Sequence, residues 1–204
     1  MTTYLERCDS DAARAAELYV WNAHASAAFW QTLGHLEVAL RNTMSSRMAA
    51  RHQRLRRAGT SWLDDPAHEL QQPAKDEILK ARSRVSRAQR TVSHDHTVAE
   101  LNFGFWRFLL VRHYQGLFWP DLASGFPHAP NRRPETIEKP VARLHKFRNR
   151  LAHHETSWNK DLGARFADIR KVLGYVDPEL EKWVISHCGV SAVLATCPVE
   201  RPRP

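Results

Sequence analysis

The chain has 204 residues, of which 43% are hydrophobic, and carries a formal charge of +8. That length suits one domain with a substantial core, and the basic excess points to a polyanionic partner. Eight glycines disfavour a turn-rich β fold; three widely spaced cysteines (Cys8, Cys188, Cys197) without a CxxC disfavour a disulfide framework or a zinc site. No run approaches the roughly 18 apolar residues of a membrane span, and the first residues lack the apolar stretch of a secretory signal. A cytoplasmic protein without cofactor or metal is expected.

Residues 11 to about 52 hold no proline, and Leu33, Leu36, Leu40 and Met44 recur at three- and four-residue steps, so one or two long helices are predicted. Off that stripe stand Glu37, Arg41 and Asn42. Glu37 and Arg41, four apart, form a surface pair on spacing alone. A basic run follows, Arg47, Arg51, Arg54, Arg56 and Arg57, with no interleaved carboxylate. It is read either as a solvated face or as the wall of an RNA groove, where arginines meet phosphates. Gly59-Thr60-Ser61 is expected to end the helix. Asp65 before Pro66 reads as the N-cap of a short helix. A further helix over about 73–90 has few apolar positions and is expected as a peripheral arm.

Ser93-His94-Asp95-His96 reads as a polar hinge, and its linear His-Asp-His spreads its ligands too poorly for a metal. Thr97 and Glu100 have capping-box spacing, opening a helix from Leu101 to about Trp119 that is apolar on nearly every face and therefore central. Pro120 to Pro134 is expected as a loop and candidate flap. A helix then runs to about Glu155, starting near Pro140 or kinked there. Asn159 or Asp161 caps the next helix and Asp177-Pro178 the last. Residues 197–204, with three prolines, are expected as a frayed tail after a single domain over 1–196.

The densest chemistry lies in His145-Lys146-Phe147-Arg148-Asn149-Arg150-Leu151-Ala152-His153-His154-Glu155. Ile137, Val141, Leu144, Phe147 and Leu151 form one buried stripe, leaving the polar groups as a solvated face or an anion-handling site. At about 100° per residue, Arg148 and His153 lie roughly 140° apart, with His154 on the other flank. Joint action of Arg148 and both histidines then calls for a second copy of the helix across a two-fold axis.

Arg148-Asn149-x-x-x-His153 resembles the Arg-polar-x3-His motif of HEPN ribonuclease domains. The longer string Arg148 to Glu155 is similar to the RNRxAHHE signature of the Abi-like (abortive infection, AbiD/AbiF) family. Leu36-Glu37-Val38-Ala39-Leu40-Arg41-Asn42 and Leu101-Asn102-Phe103-Gly104-Phe105-Trp106-Arg107 resemble two further blocks of that family, in order, across roughly residues 10 to 185. One departure is visible: Thr156-Ser157 stands where members usually continue Pro-Ile. An all-α bundle of five to seven helices is expected, which the resemblance makes a HEPN-type bundle with additional helices. The resemblance implies a homodimeric, metal-independent endoribonuclease toxin, restrained by an RNA or protein antitoxin. In that reading His153 moves the proton, Arg148 neutralises the phosphorane and Asn149 positions the phosphate or the histidine. His154, Glu155, Glu37, Arg41 and Asn42 take supporting roles. The alternatives are a non-catalytic HEPN module that binds RNA, a nucleotide or a partner, and an adaptor bundle in which Arg148 and His153 only stabilise a dimer.

Overall fold

The computed structural model describes residues 2–199. The fold is all-α, with ten α-helices and no strand among the described residues. They are α1 (Thr2–Arg7), α2 (Ala12–Arg54), α3 (Gln72–Arg87), α4 (His94–Glu100), α5 (Phe103–Phe108), α6 (Arg112–Leu122), α7 (Glu135–Ala152), α8 (Leu162–Val176), α9 (Pro178–Ser186) and α10 (Val190–Ala195). No helix among the described residues is long and apolar enough to cross a membrane. The chain divides into two compact units: residues 1–36 with 140–204, and residues 37–139. Helix α2 is a single helix of 43 residues, roughly 65 Å long at 1.5 Å per residue. One stripe buries along it: Ala15, Leu18, Ala25, Phe29, Leu33, Leu36, Leu40, Met44 and Met48.

In the first unit, α2 and α7 meet through Phe29 and Phe147, edge to face at 5.1 Å, with Phe166 of α8 at 6.3 Å from Phe29. The α7 stripe buries as its spacing predicts, through Ile137, Val141, Leu144, Phe147 and Leu151. The helix begins five residues before Pro140, which stands inside it. Asp161 and Asp177 cap α8 and α9 by accepting from Ala164 N and Glu179 N. Helix α9 is not the last, because α10 follows and packs on α8. Trp21 ties α10 to α2 by donating to the Val193 carbonyl at 2.7 Å. Val199 is buried, so the packed chain passes the expected boundary at 196; residues 200–204 of the expected tail lie outside the described residues.

The second unit departs more often from the sequence expectations, and each departure has a local cause. Asp65 caps no helix: it ends the short 3-10 turn Trp62–Asp64 in the left-handed region (φ 47°). Its carboxylate accepts from Glu69 N and Leu70 N instead. Helix α4 starts one turn earlier than Thr97, capped by Ser93, whose side chain accepts from His96 N. Glu100 is therefore the last residue of that helix, and the capping-box spacing is coincidental. His94 and His96 anchor this start. His94 meets Ser61 Oγ at 2.7 Å and Ser45 Oγ at 3.4 Å, and His96 Nδ1 meets the Thr91 carbonyl at 2.6 Å.

The apolar run 101–119 is two helices, not one, broken at Leu109–Val111. A straight helix would present apolar side chains on every side; the break divides them between two faces. Phe105 and Trp106 pack on Trp62, and Tyr114 stacks on Phe118 at 4.9 Å. Helix α3 is more than an arm, because Ala74, Ile78, Ala81 and Val85 bury a stripe against α4 and α5. The expected flap is also tied down. Pro120 lies inside α6, and a 3-10 turn over Ala123–Gly125 follows. A Cβ at Gly125 would stand 2.6 Å from Thr43 Cγ2, so only glycine admits that approach. At the other end Trp119 Nε1 donates to the Arg132 carbonyl at 2.6 Å.

Candidate functional site

The end of α7 is set by backbone hydrogen bonding. His154 N donates to the Leu151 carbonyl and Glu155 N to the Arg150 carbonyl, with His154 in the left-handed region at φ 53°. This is a Schellman ending, a position that usually takes glycine. The helix thus stops at Ala152, three residues before the expected end at Glu155. The 100° spacing used to separate His154 from Arg148 does not apply beyond His153, because the left-handed residue redirects the chain.

That redirection brings His154 and Glu155 to the wall of a cleft of about 510 Å³, lying entirely within the first unit. Its opposite wall is a second stripe on α2, adjacent to the buried one. Tyr19 and Trp30 stand at the ends of that stripe, with the small residues Ala23, Ser26 and Ala27 between them. Small side chains between two large rings leave a trough. Trp30 is 45% and Tyr19 54% exposed. Tyr4 of α1 also lines the cleft and meets Tyr19 edge to face at 5.5 Å. Burial pushes the Tyr4 phenol above its ordinary pKa, and the nearby Tyr19 adds to the shift.

Arg148 places its guanidinium 4.9 Å over the Trp30 ring. It is only partly exposed and has no ion pair among the described residues. A cation on an aromatic face keeps its charge available to an anion, whereas a carboxylate partner would cancel it. His153 and His154 are both exposed, and neither imidazole has a hydrogen-bond partner among the described residues. His154 lines the cleft; His153 is not part of its wall. Asn149 turns its amide to His145 Nε2 at 3.4 Å, so the histidine it touches is His145, not His153. Glu155 pairs with Arg150 at 3.0 Å.

The remaining expected site residues lie in the second unit. Arg41 donates to Asn42 Oδ1 at 3.2 Å and to the Ala99 carbonyl at 3.4 Å. Glu37 is half-buried. The basic run 47–57 is not the uncompensated wall its sequence describes. Arg51 is buried and bidentate to Glu69 at 2.7 and 2.9 Å, with Asp121 at 3.4 Å and the Phe118 ring 5.3 Å away. Arg54 grips Asp121 at 2.8 and 3.0 Å, and Arg57 reaches Glu69 at 2.9 Å. Glu69 and Asp121 lie outside the run, so counting charges within it misses them. Arg47 meets Ser46 Oγ at 3.5 Å and Arg56 is exposed, neither with an ion pair among the described residues.

A basic cleft that the linear pattern did not show lies between α7 and the start of α8. It measures about 280 Å³ and is bordered by Arg143, Lys146, Arg150, Lys160 and Arg165. Asp168 takes Arg143 in a bidentate pair at 2.8 and 2.6 Å and holds Arg165 at 3.4 Å. Lys146 and Lys160 have no ion pair among the described residues. The α7 members recur at 143, 146 and 150, a helical stripe that spacing could have shown, but Lys160 and Arg165 come from a different segment. Trp30 and Tyr19 were missed because they sit beside the apolar stripe of α2 and read as part of it, and Asn22 because it reads as one more polar position on that helix. Comparison of the chain with protein-family models, curated proteins and solved structures returned no match.

Proposed function

We propose that the chain is a metal-independent endoribonuclease toxin of the abortive-infection type, acting in the cytoplasm through the end of α7. The observation that carries this reading is the set of groups gathered there. A guanidinium on Trp30, without an ion pair among the described residues, stands in the last turns of α7. Two exposed imidazoles without partners among the described residues follow directly after the helix. Cleavage begins when the RNA 2′-hydroxyl attacks the adjacent phosphorus. A histidine takes the hydroxyl proton, the P–O5′ bond breaks, and the proton passes to the departing 5′-oxygen. The products are a 2′,3′-cyclic phosphate and a free 5′-hydroxyl. Imidazole suits the proton transfers because its ordinary pKa lies near neutrality. Arg148 suits the non-bridging oxygens because guanidinium stays protonated and donates two parallel bonds.

His153 is assigned the proton transfers, with His154 as the competing position. A homodimer, whose two α7 ends face each other, supplies the second set of groups, and an RNA or protein antitoxin restrains the activity. The basic cleft between α7 and α8 supports RNA binding by phosphate neutralisation. The test incubates the purified protein with cellular RNA in EDTA and maps the ends. His153→Ala is expected to lower cleavage by about 10²–10⁴-fold with RNA affinity nearly intact. Arg148→Ala is expected to lower both. Loss on His154→Ala alone moves the proton transfer to His154. Cleavage indifferent to all three substitutions replaces the enzyme with an RNA-binding module.

A further inference from the structure

The aromatic cleft of the first unit holds a polar group that its own fold leaves unfinished. Asn22 is only 8% exposed. Its Oδ1 accepts three hydrogen bonds: from Ser157 N at 2.9 Å, Ser157 Oγ at 2.9 Å and Trp158 N at 3.0 Å. Two of those donors are backbone amides, which cannot accept, so the side-chain amide has one orientation and its nitrogen is the other end. That Nδ2, with two N–H bonds, has no partner among the described residues, and Asn22 lines the cleft. The nitrogen opens to the cleft, where water or a ligand accepts from it.

The walls specify the shape of what accepts. Tyr19 and Trp30 are partly exposed at either end of the small residues Ala23, Ser26 and Ala27. At about 510 Å³ the space falls within the usual range for small-molecule sites. Glu155 stands on the opposite wall as an acceptor. Arg148, on the ring of Trp30, supplies a cation for a phosphate. An aromatic ring, an amide donor, an acceptor and a neighbouring cation match the parts of a nucleotide.

We infer that this cleft is a nucleobase subsite, taking an RNA base whose edge carries a carbonyl oxygen, with the Asn22 amide as the donor to that oxygen. The inference rests on the proposed action on RNA, to which it adds base selection: guanine, uracil and cytosine offer a carbonyl to Asn22, and adenine does not. Tyr19 stacks the base, and Arg148, on the ring of Trp30, receives its phosphate.

The test titrates the full chain with GMP, UMP, CMP and AMP by calorimetry. The three carbonyl-bearing nucleotides are expected to bind about tenfold more tightly than AMP, the upper scale for one hydrogen bond. Asn22→Asp keeps an acceptor for Ser157 and Trp158 and removes both N–H donors. It is expected to retain the fold and erase the ranking. Tyr19→Ala, at an exposed position, is expected to weaken all four nucleotides alike by about tenfold. No binding at millimolar nucleotide, or a ranking that Asn22→Asp leaves unchanged, overturns the subsite. The two readings separate cleanly. Ranked nucleotide binding without RNA cleavage keeps the subsite and removes the nuclease. Cleavage without any ranking keeps the nuclease and removes the subsite.

Discussion

The ends of α2 and α7 are alike in sequence and opposite in use. Both are rich in arginine, and both finish by the same backbone device. Arg56 takes the left-handed position after α2 (φ 48°), and Arg57 N donates back to the His52 carbonyl; His154 and Glu155 do the same after α7. The difference lies in what faces the cations. At the α2 end, Glu69 and Asp121 hold Arg51, Arg54 and Arg57. At the α7 end, Glu155 takes Arg150, while Arg148 rests on an aromatic ring with its charge uncancelled. The first arrangement spends arginine on stability, and the second leaves it for a ligand.

The largest expected effect breaks the pairing directly. Arg51→Ala leaves Glu69 and Asp121 without their buried partner and is expected to cost roughly 3 kcal/mol of stability in urea unfolding. Arg148→Ala should cost no more than about 1 kcal/mol, the scale of an exposed cation–π contact. Equal losses at the two sites would erase the distinction.

The helix ends themselves offer a second test. Arg56→Gly and His154→Gly each relieve a left-handed side-chain residue and are expected to stabilise by about 1 kcal/mol. With the proton transfers on His153, both variants are expected to keep RNA cleavage; loss in His154→Gly alone moves the proton transfer to His154. A pair of variants with the same stability gain and opposite functional outcomes would sharpen the comparison most.

RNA binding should follow the free cations. Substituting Lys146 and Lys160 by Ala is expected to reduce the logarithmic salt slope for single-stranded RNA by about 1.4, two contacts at roughly 0.7 each. Arg54→Ala and Arg57→Ala should leave it nearly unchanged, because their carboxylate partners already neutralise them. The reverse result would return RNA to the α2 end.

The smallest effect compares one phenol from each unit. Burial raises the pKa of Tyr4 and of Tyr114 above the ordinary value of 10.0; for Tyr114, Asp65 adds to the rise and the hydrogen bond from Gln71 N opposes it. With the folded pKa raised, the folded state holds its proton longer than the unfolded chain. The stabilisation is fully present below pH 10 and is lost as pH rises through the folded pKa. Alkaline unfolding should therefore begin above pH 10, and Tyr4→Phe or Tyr114→Phe should each flatten that limb.

Local signals in the chain carried much of this architecture. The repeat along α2 and the stripe from Ile137 to Leu151 specify two helices and their buried faces, because a 3.6-residue period has one geometric meaning. Asp161 and Asp177 announce their helices because a carboxylate next to free N–H groups is a local interaction. Helix ends were far less legible. The left-handed residues after α1, α2, α3 and α7 include Asp9, Arg56, Gln89 and His154, none of them glycine, so the usual stop signal is missing. The break at Leu109–Val111 was hidden for another reason: an apolar run does not say how many faces must share it.

What lies between segments was decided by tertiary structure alone. Arg51 and Arg148 are the same residue type on similar basic helices. Glu69, Asp121 and Trp30 make one a structural ion pair and the other an open cation. Asn22 reads as one more polar position on α2 until Ser157 and Trp158 consume its oxygen and leave its nitrogen facing a cleft. The physical reason is common to both cases. Periodicity and capping act within a few residues, so a linear pattern contains them. Charge neutralisation and hydrogen-bond satisfaction depend on which distant groups come within about 3 Å, and only the packed chain determines that.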